Sequence, residues 1–182
     1  MICNKLFNRT EFPSQEININ DRYIAKYMSI KYFGKLTDNS FIGALGEILL
    51  QDIFMKNNIT LLSYPRGEYD DFLGKDVFIV NGQYKNQAAD IKCGFIKADN
   101  YDKIFIYKEN YRKDNELFFL TFIIKNENES VEDSLHFVGA IKFKEVMKLP
   151  TMIFDGKRIY YFPLNEEFEK YEYLLIKMKD LK

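Results

Sequence analysis

The sequence predicts an α/β domain with a central mixed β-sheet flanked by helices. Three observations carry that expectation. An almost wholly apolar helical segment covers about 40–58. A strand–turn–strand pattern runs from Asp76 to Lys92, DVFIVNGQYKNQAADIK. A later run, Glu116–Lys125 (ELFFLTFIIK), is apolar on both faces, as a strand buried inside a sheet must be. At 182 residues, 47% hydrophobic and 29% charged, the composition is globular. We read one domain over 1–182: an N-terminal helical segment (1–35), a core bearing the candidate site (38–110), and remaining strands with a C-terminal helix (111–182).

In chain order, residues 1–14 are irregular. Ser14 is a candidate cap for a helix over roughly 15–33, although Asn20 and Asp21 leave a later start open. Its apolar positions Ile17, Tyr23, Ile24, Tyr27, Met28 and Ile30 recur at helical spacing and predict a helix covering the core, with Gly34 as its stop. Ser40 opens the second helix. Gly43 and Gly46 each cost it about 1 kcal/mol relative to Ala, which predicts close approach of another element. Glu47 lies beside them. It is either a surface carboxylate at the margin of the apolar arc or a buried one that needs a partner, a proton or a metal.

A short strand at 59–63 and a Pro/Gly/Asp-rich loop lead to the hairpin. Asn81-Gly82 predicts a two-residue turn with positive φ at both positions, returning as a strand from about Tyr84 to Cys93. That register sets Asp76 opposite about Gln87, a few residues from Asp90; a bulge near Gln87-Ala88 would change it. Further strands are expected at Asp102–Lys108, Glu116–Lys125 and Leu135–Lys142, followed by a helical turn at Phe143–Leu149. The polar segment KNENESVEDS between the last two strands is a loop. A strand at 157–162 is entered through Asp155-Gly156, and a helix over 165–181 is capped by Asn165.

Charge and motifs narrow the chemistry. The net charge of −1 argues against a binder driven by overall charge, while a local basic patch remains compatible. Cys3 and Cys93 form no CxxC, so a disulfide or zinc-ribbon framework is not expected. No nucleotide-cofactor motif is present. The N-terminus lacks a signal-peptide core, and the longest apolar run, interrupted by Thr121, is too short to span a bilayer. The expected setting is the reducing cytoplasm, without membrane association. His136 reads as a strand-surface residue and Cys93 as a core residue. The segment Lys103–Lys113, with Arg66, Lys85 and Lys97, is either a phosphate-contacting surface or a solvated one.

An acid-x-base triplet such as Asp90-Ile91-Lys92 arises about four times by chance in a chain of this composition. Placement is what gives it meaning. Strand alternation puts Asp90 and Lys92 on one face and apolar Ala89, Ile91 and Cys93 on the other. Two carboxylates and the Ile91 carbonyl are hard oxygen ligands suited to Mg²⁺, and a lysine beside them can serve a water or a phosphate.

The set GALGE (Gly43–Glu47), DVFIV (Asp76–Val80) and ADIK (Ala89–Lys92) resembles the PD-(D/E)XK nuclease superfamily, over about residues 40–95. The resemblance implies a restriction-endonuclease-like fold and endonucleolytic hydrolysis of DNA phosphodiester bonds dependent on Mg²⁺, with Mn²⁺ able to substitute. It implies a site of Glu47, Asp76, Asp90 and Lys92, in which Asp76, Asp90, the Ile91 carbonyl and Glu47 are the metal ligands. Lys75, not Pro, precedes Asp76. Asp70 and Asp71 compete for the first-aspartate role; Asp76 is preferred because it directly opens the strand. DNA is the expected partner, with a homodimer where both strands of a duplex are cut. The alternative is a catalytically inactive module of this fold that binds nucleic acid or a protein.

Overall fold

The computed structural model describes residues 12–63, 76–96, 103–107, 117–124 and 134–182. Within them, a six-stranded mixed sheet is flanked by helices on one face and by a second, three-stranded sheet on the other. The strands are β1 (Ser14–Glu16), β2 (Leu61–Ser63), β3 (Val77–Ile79), β4 (Ala88–Ile96), β5 (Lys103–Ile106), β6 (Leu117–Ile124), β7 (Ser134–Lys142), β8 (Thr151–Phe154) and β9 (Lys157–Pro163). The large sheet has the order β1-β7-β6-β4-β3-β2, and the small one β5-β9-β8. Among the described strands only the β4–β6 pair is parallel.

The helices are α1 (Ile19–Phe33), α2 (Asp38–Lys56), α3 (Phe168–Tyr171) and α4 (Met178–Leu181). α1 begins later than position 15, because Asn18 makes the better cap. Its side chain accepts from the N–H groups of Asn20 and Asp21, and Asp21 accepts in return from the Asn18 N–H at 2.9 Å. Residues 14–16 are instead an edge strand on β7. Gly34, at φ 67°, ends α1 in the left-handed conformation expected of it. α2 is capped by Thr37, with Ser40 at the third helical position completing a capping box.

β6 is central and apolar on both faces, as its sequence requires. Leu117, Phe119 and Ile123 join Leu45, Leu49, Ile53 and Phe54 of α2 in one core. Phe118, Leu120 and Phe122 join Ile104, Ile106 and Phe162 of the small sheet in a second. The small sheet, and β8 within it, departs from the expectation of a single sheet. Asp155-Gly156, with φ of 49° and 72°, makes the tight turn between β8 and β9.

The C-terminal segment is not one helix. Asn165 does cap a turn, accepting from the Glu167 N–H at 2.9 Å. The chain then becomes extended around Ile176, which exchanges two backbone hydrogen bonds with Ala140 at 2.7 and 2.9 Å. The cause lies in β7. β1 pairs only with Ser134–His136, so beyond the register shift beside Gly139 the buried Ala140 turns its N–H and C=O to an edge that β1 does not reach, and Ile176 satisfies them.

Candidate active site

The hairpin of β3 and β4 is wider than a two-residue turn. Ile79 and Gln87 close it: the Ile79 N–H donates to the Gln87 carbonyl and the Asn86 N–H to the Ile79 carbonyl, both at 2.9 Å. Positive φ falls at Gly82 and Asn86, not at Asn81. Asn81 is engaged elsewhere. Its side chain accepts from the Thr60 N–H at 2.6 Å and donates to the Asn58 carbonyl at 3.0 Å. Gln83 donates its N–H to the carbonyls of Leu181 and Lys182, both at 3.1 Å, and a Cβ on Gly82 would meet the Leu181 carbonyl at 2.4 Å. The C-terminus thus clamps the turn and moves the register. Val77 pairs with Ala89, and Asp76 lies across from Asp90 instead of Gln87.

This register brings Asp76, Asp90 and Lys92 together. The Asp76 N–H donates to the Ala89 carbonyl at 3.1 Å, and Asp76 Oδ2 accepts from the Ile91 N–H at 2.7 Å. Lys92 Nζ lies 2.7 Å from Asp90 Oδ2. The N–H and C=O of one strand residue point to the same strand edge, so the Ile91 carbonyl lies on the edge that Asp76 occupies. Asp90 is only 6% exposed. Burial drives its carboxyl well above the usual carboxylate range, Lys92 draws it down, and Asp76, hydrogen-bonded to it, pushes it up again.

Gly46 explains how α2 positions this strand. A Cβ there would meet the Cys93 Cβ at 3.1 Å and Ile91 at 3.7 Å, so α2 rides directly on β4. Gly43 has no such neighbour within 4 Å. Since Ile91 and Cys93 face α2, Asp90 and Lys92 face the second core, in line with Phe118 and Leu120 of β6. Glu47 is half-buried on α2, one turn before Gln51, whose amide donates to Ser63 Oγ. Ser63 pairs with Val77, which places Glu47 on the side of α2 nearer the β2–β3 edge. Glu47, Asp76 and Lys92 are each engaged by further contacts. Among the described residues no group of three or more His, Cys, Asp or Glu gathers to hold a metal ion, so Glu47 does not form such a group with Asp76 and Asp90.

Thr121 is the site-supporting residue that the sequence reading passed over. Fully buried, it donates its hydroxyl to the Lys92 carbonyl at 3.3 Å and pairs in register with Cys93. Its one signal was being the only polar residue within the apolar β6 run. Cys93 is half-buried, and burial pushes its thiol up to about 12, so it is no thiolate nucleophile. His136 is stacked on Phe122 at 4.9 Å and hydrogen-bonded to Ser134 at 2.8 Å; burial lowers it to about 4.

Of the candidate phosphate contacts, Lys85 is exposed and Lys103 lies over the Tyr161 ring at 5.3 Å. Arg66, Lys97, most of the segment up to Lys113, Cys3, Asp70, Asp71 and the loop between β6 and β7 lie outside the described residues. No helix among the described residues is long and apolar enough to cross a membrane. No family model, curated protein or solved structure matches the chain.

Proposed function

We propose that the protein is a metal-dependent endonuclease with a restriction-endonuclease-like fold, hydrolysing DNA phosphodiester bonds inside the cell. The observation that carries this reading is the juxtaposition of Asp76 and Asp90 across the β3–β4 ladder, with Lys92 on Asp90 and the Ile91 carbonyl at the same edge. Two carboxylates forced together in a buried place are costly unless a proton or a cation joins them. The donors are all hard oxygens. Mg²⁺ is commonly held by one or two carboxylates, with water and substrate phosphate completing its shell, so Asp76, Asp90 and the Ile91 carbonyl fit it without a third carboxylate.

Asp76, Asp90 and the Ile91 carbonyl would hold Mg²⁺, with Mn²⁺ as a substitute, and Glu47, on the helix that packs on the opposite face of β4, is left out of the ligand set. When bound, the ion supplies Lewis-acid polarisation of the phosphate and acidifies water. The chain's own groups do the rest. Asp76 fixes the Ile91 backbone, and Thr121 fixes that of Lys92, so the lysine keeps its place beside Asp90. From there Lys92 orients the attacking water. It also offsets the negative charge on the phosphate as one P–O bond forms and the other breaks.

The test is plasmid cleavage by purified protein with Mg²⁺ or Mn²⁺. Wild type should nick or cut. Asp90→Ala and Lys92→Ala should each lose at least about a hundredfold in rate. If wild type and Asp90→Ala behave alike on DNA and RNA with either metal, the enzyme reading gives way to a non-catalytic binding module.

A further inference from the structure

The packing of α1 is inverted relative to a helix that only covers a core. Its contact face centres on two small residues: Ala25 and Ser29 are fully buried, and the Ser29 hydroxyl donates to the Ala25 carbonyl at 2.8 Å, while Met28 packs against the core beside them. Most of the large apolar side chains point outward. Ile19 is 61% exposed, Tyr23 64%, Tyr27 63% and Ile30 57%. With about 3.6 residues per turn, these four fall in one arc roughly opposite Ala25 and Ser29. The solvent side of a surface helix is ordinarily charged. Here the four stripe residues are uncharged, and Lys31 at their margin is folded back over the rings of Tyr27 and Tyr32, at 5.6 and 5.2 Å.

We propose that this outer face of α1 is a homodimer interface, packing against the same face of a second copy about a two-fold axis. The area argues for it. The four stripe residues leave roughly 480 Å² exposed, more than half of the roughly 800 Å² per partner of a stable interface, and exposed Ile24 and Leu36 flank them. The 4-4-3 spacing of Ile19, Tyr23, Tyr27 and Ile30, 11 residues over about three turns, keeps them on one face as a helix pair requires. An isologous contact sets Tyr23 of one copy near Tyr27 of the other. An uncharged seam can be desolvated without burying an unpaired ion. The basic residues Lys26 and Lys31 flank the stripe in both copies, so salt strengthens the pair by screening them. An anionic occupant such as nucleic acid would respond in the opposite sense.

α1 lies on the far side of α2 from the large sheet, whereas Asp90 and Lys92 face away from α2. The two-fold therefore places the two carboxylate pairs on the faces of the large sheets turned away from the interface, on the order of 40 Å apart across the helical layers. Each site stands complete within its own chain, and the interface does not depend on the nuclease reading.

Sedimentation equilibrium of the full chain tests this, over about 1–100 μM and at about 50 and 500 mM NaCl. Wild type should show twice the 21.7 kDa chain mass, with a Kd that does not rise with salt. Tyr27→Glu and Ile30→Glu should each raise Kd about a hundredfold or more while keeping the wild-type circular dichroism. Tyr173→Glu, an exposed control outside α1, should leave the mass doubled. A monomer throughout the range, a dimer that survives both α1 variants, or an association dissolved by salt would each overturn the proposal. Plasmid nicking per chain should persist in the monomeric variants. Absence of nicking in wild type as well counts against the nuclease reading alone, because the mass measurement decides the interface.

Discussion

Asp90 occupies a position that an apolar residue would fill more cheaply. It is buried, faces a second carboxylate, and is compensated by one lysine that is itself partly solvated. Asp90→Asn keeps the shape and removes the charge. It should abolish cleavage while holding the urea midpoint closer to wild type than Asp90→Ala does, since the amide oxygen still accepts from Lys92. Asp90→Ala leaves Lys92 without this partner and a cavity behind, and should destabilise more. His136 sets a pH dependence of opposite origin. Its folded value of about 4 lies below the unfolded value, so the neutral ring contributes stability that is present above about pH 6.5 and lost as pH falls toward 4. With the ring partly open to solvent, that loss should amount to about 1–2 kcal/mol. Urea midpoints at pH 7 and pH 4.5 check it: wild type should drop more than His136→Gln by that amount.

At the scale of elements, the two glycines of α2 make a matched pair with opposite expectations. Gly43 borders open space, so Gly43→Ala should gain up to about 1 kcal/mol of helix propensity. Gly46→Ala gains the same propensity but presses on the Cys93 Cβ, which is attached to a strand held between neighbours. It should lower stability by about 1–2 kcal/mol and reduce cleavage by displacing β4. Thermal unfolding of the two variants side by side separates the effects. The β3–β4 hairpin shows why Asn81-Gly82 misled as a local signal. The turn is made by what Asn81 and Gln83 bond to at residues 58, 60, 181 and 182, and those groups are remote in sequence.

For the whole molecule, the C-terminal segment joins the site-bearing hairpin to the edge of β7. Leu181 is buried in the first core, its carbonyl holds Gln83, and Ile176 completes the edge at Ala140. Deleting residues 178–182 should therefore do more than fray an end. Hydrogen exchange at 81–87 should rise, the hairpin register should loosen, and cleavage should fall together with the melting temperature. Unchanged exchange at 81–87 would show that the turn holds itself.

The sequence by itself determined the elements that depend on local chemistry. The apolar run of β6 required a central strand, Gly34 required a stop, Asp155-Gly156 required a tight turn, and strand alternation put Asp90 and Lys92 on one face. Tertiary structure alone decided the rest. It set Asp76 opposite Asp90, because the C-terminus clamps the turn between them. It divided the strands into two sheets and broke the C-terminal helix to complete an open edge. Of the apolar positions read as one core-covering face, it buried Ile17 and packed Met28 inward but turned Tyr23, Ile24, Tyr27 and Ile30 outward, because Ala25 and Ser29 let α1 approach α2 more closely than those side chains would. Periodicity reports that a helix has an apolar face; which face is buried depends on the shape of the surface it meets.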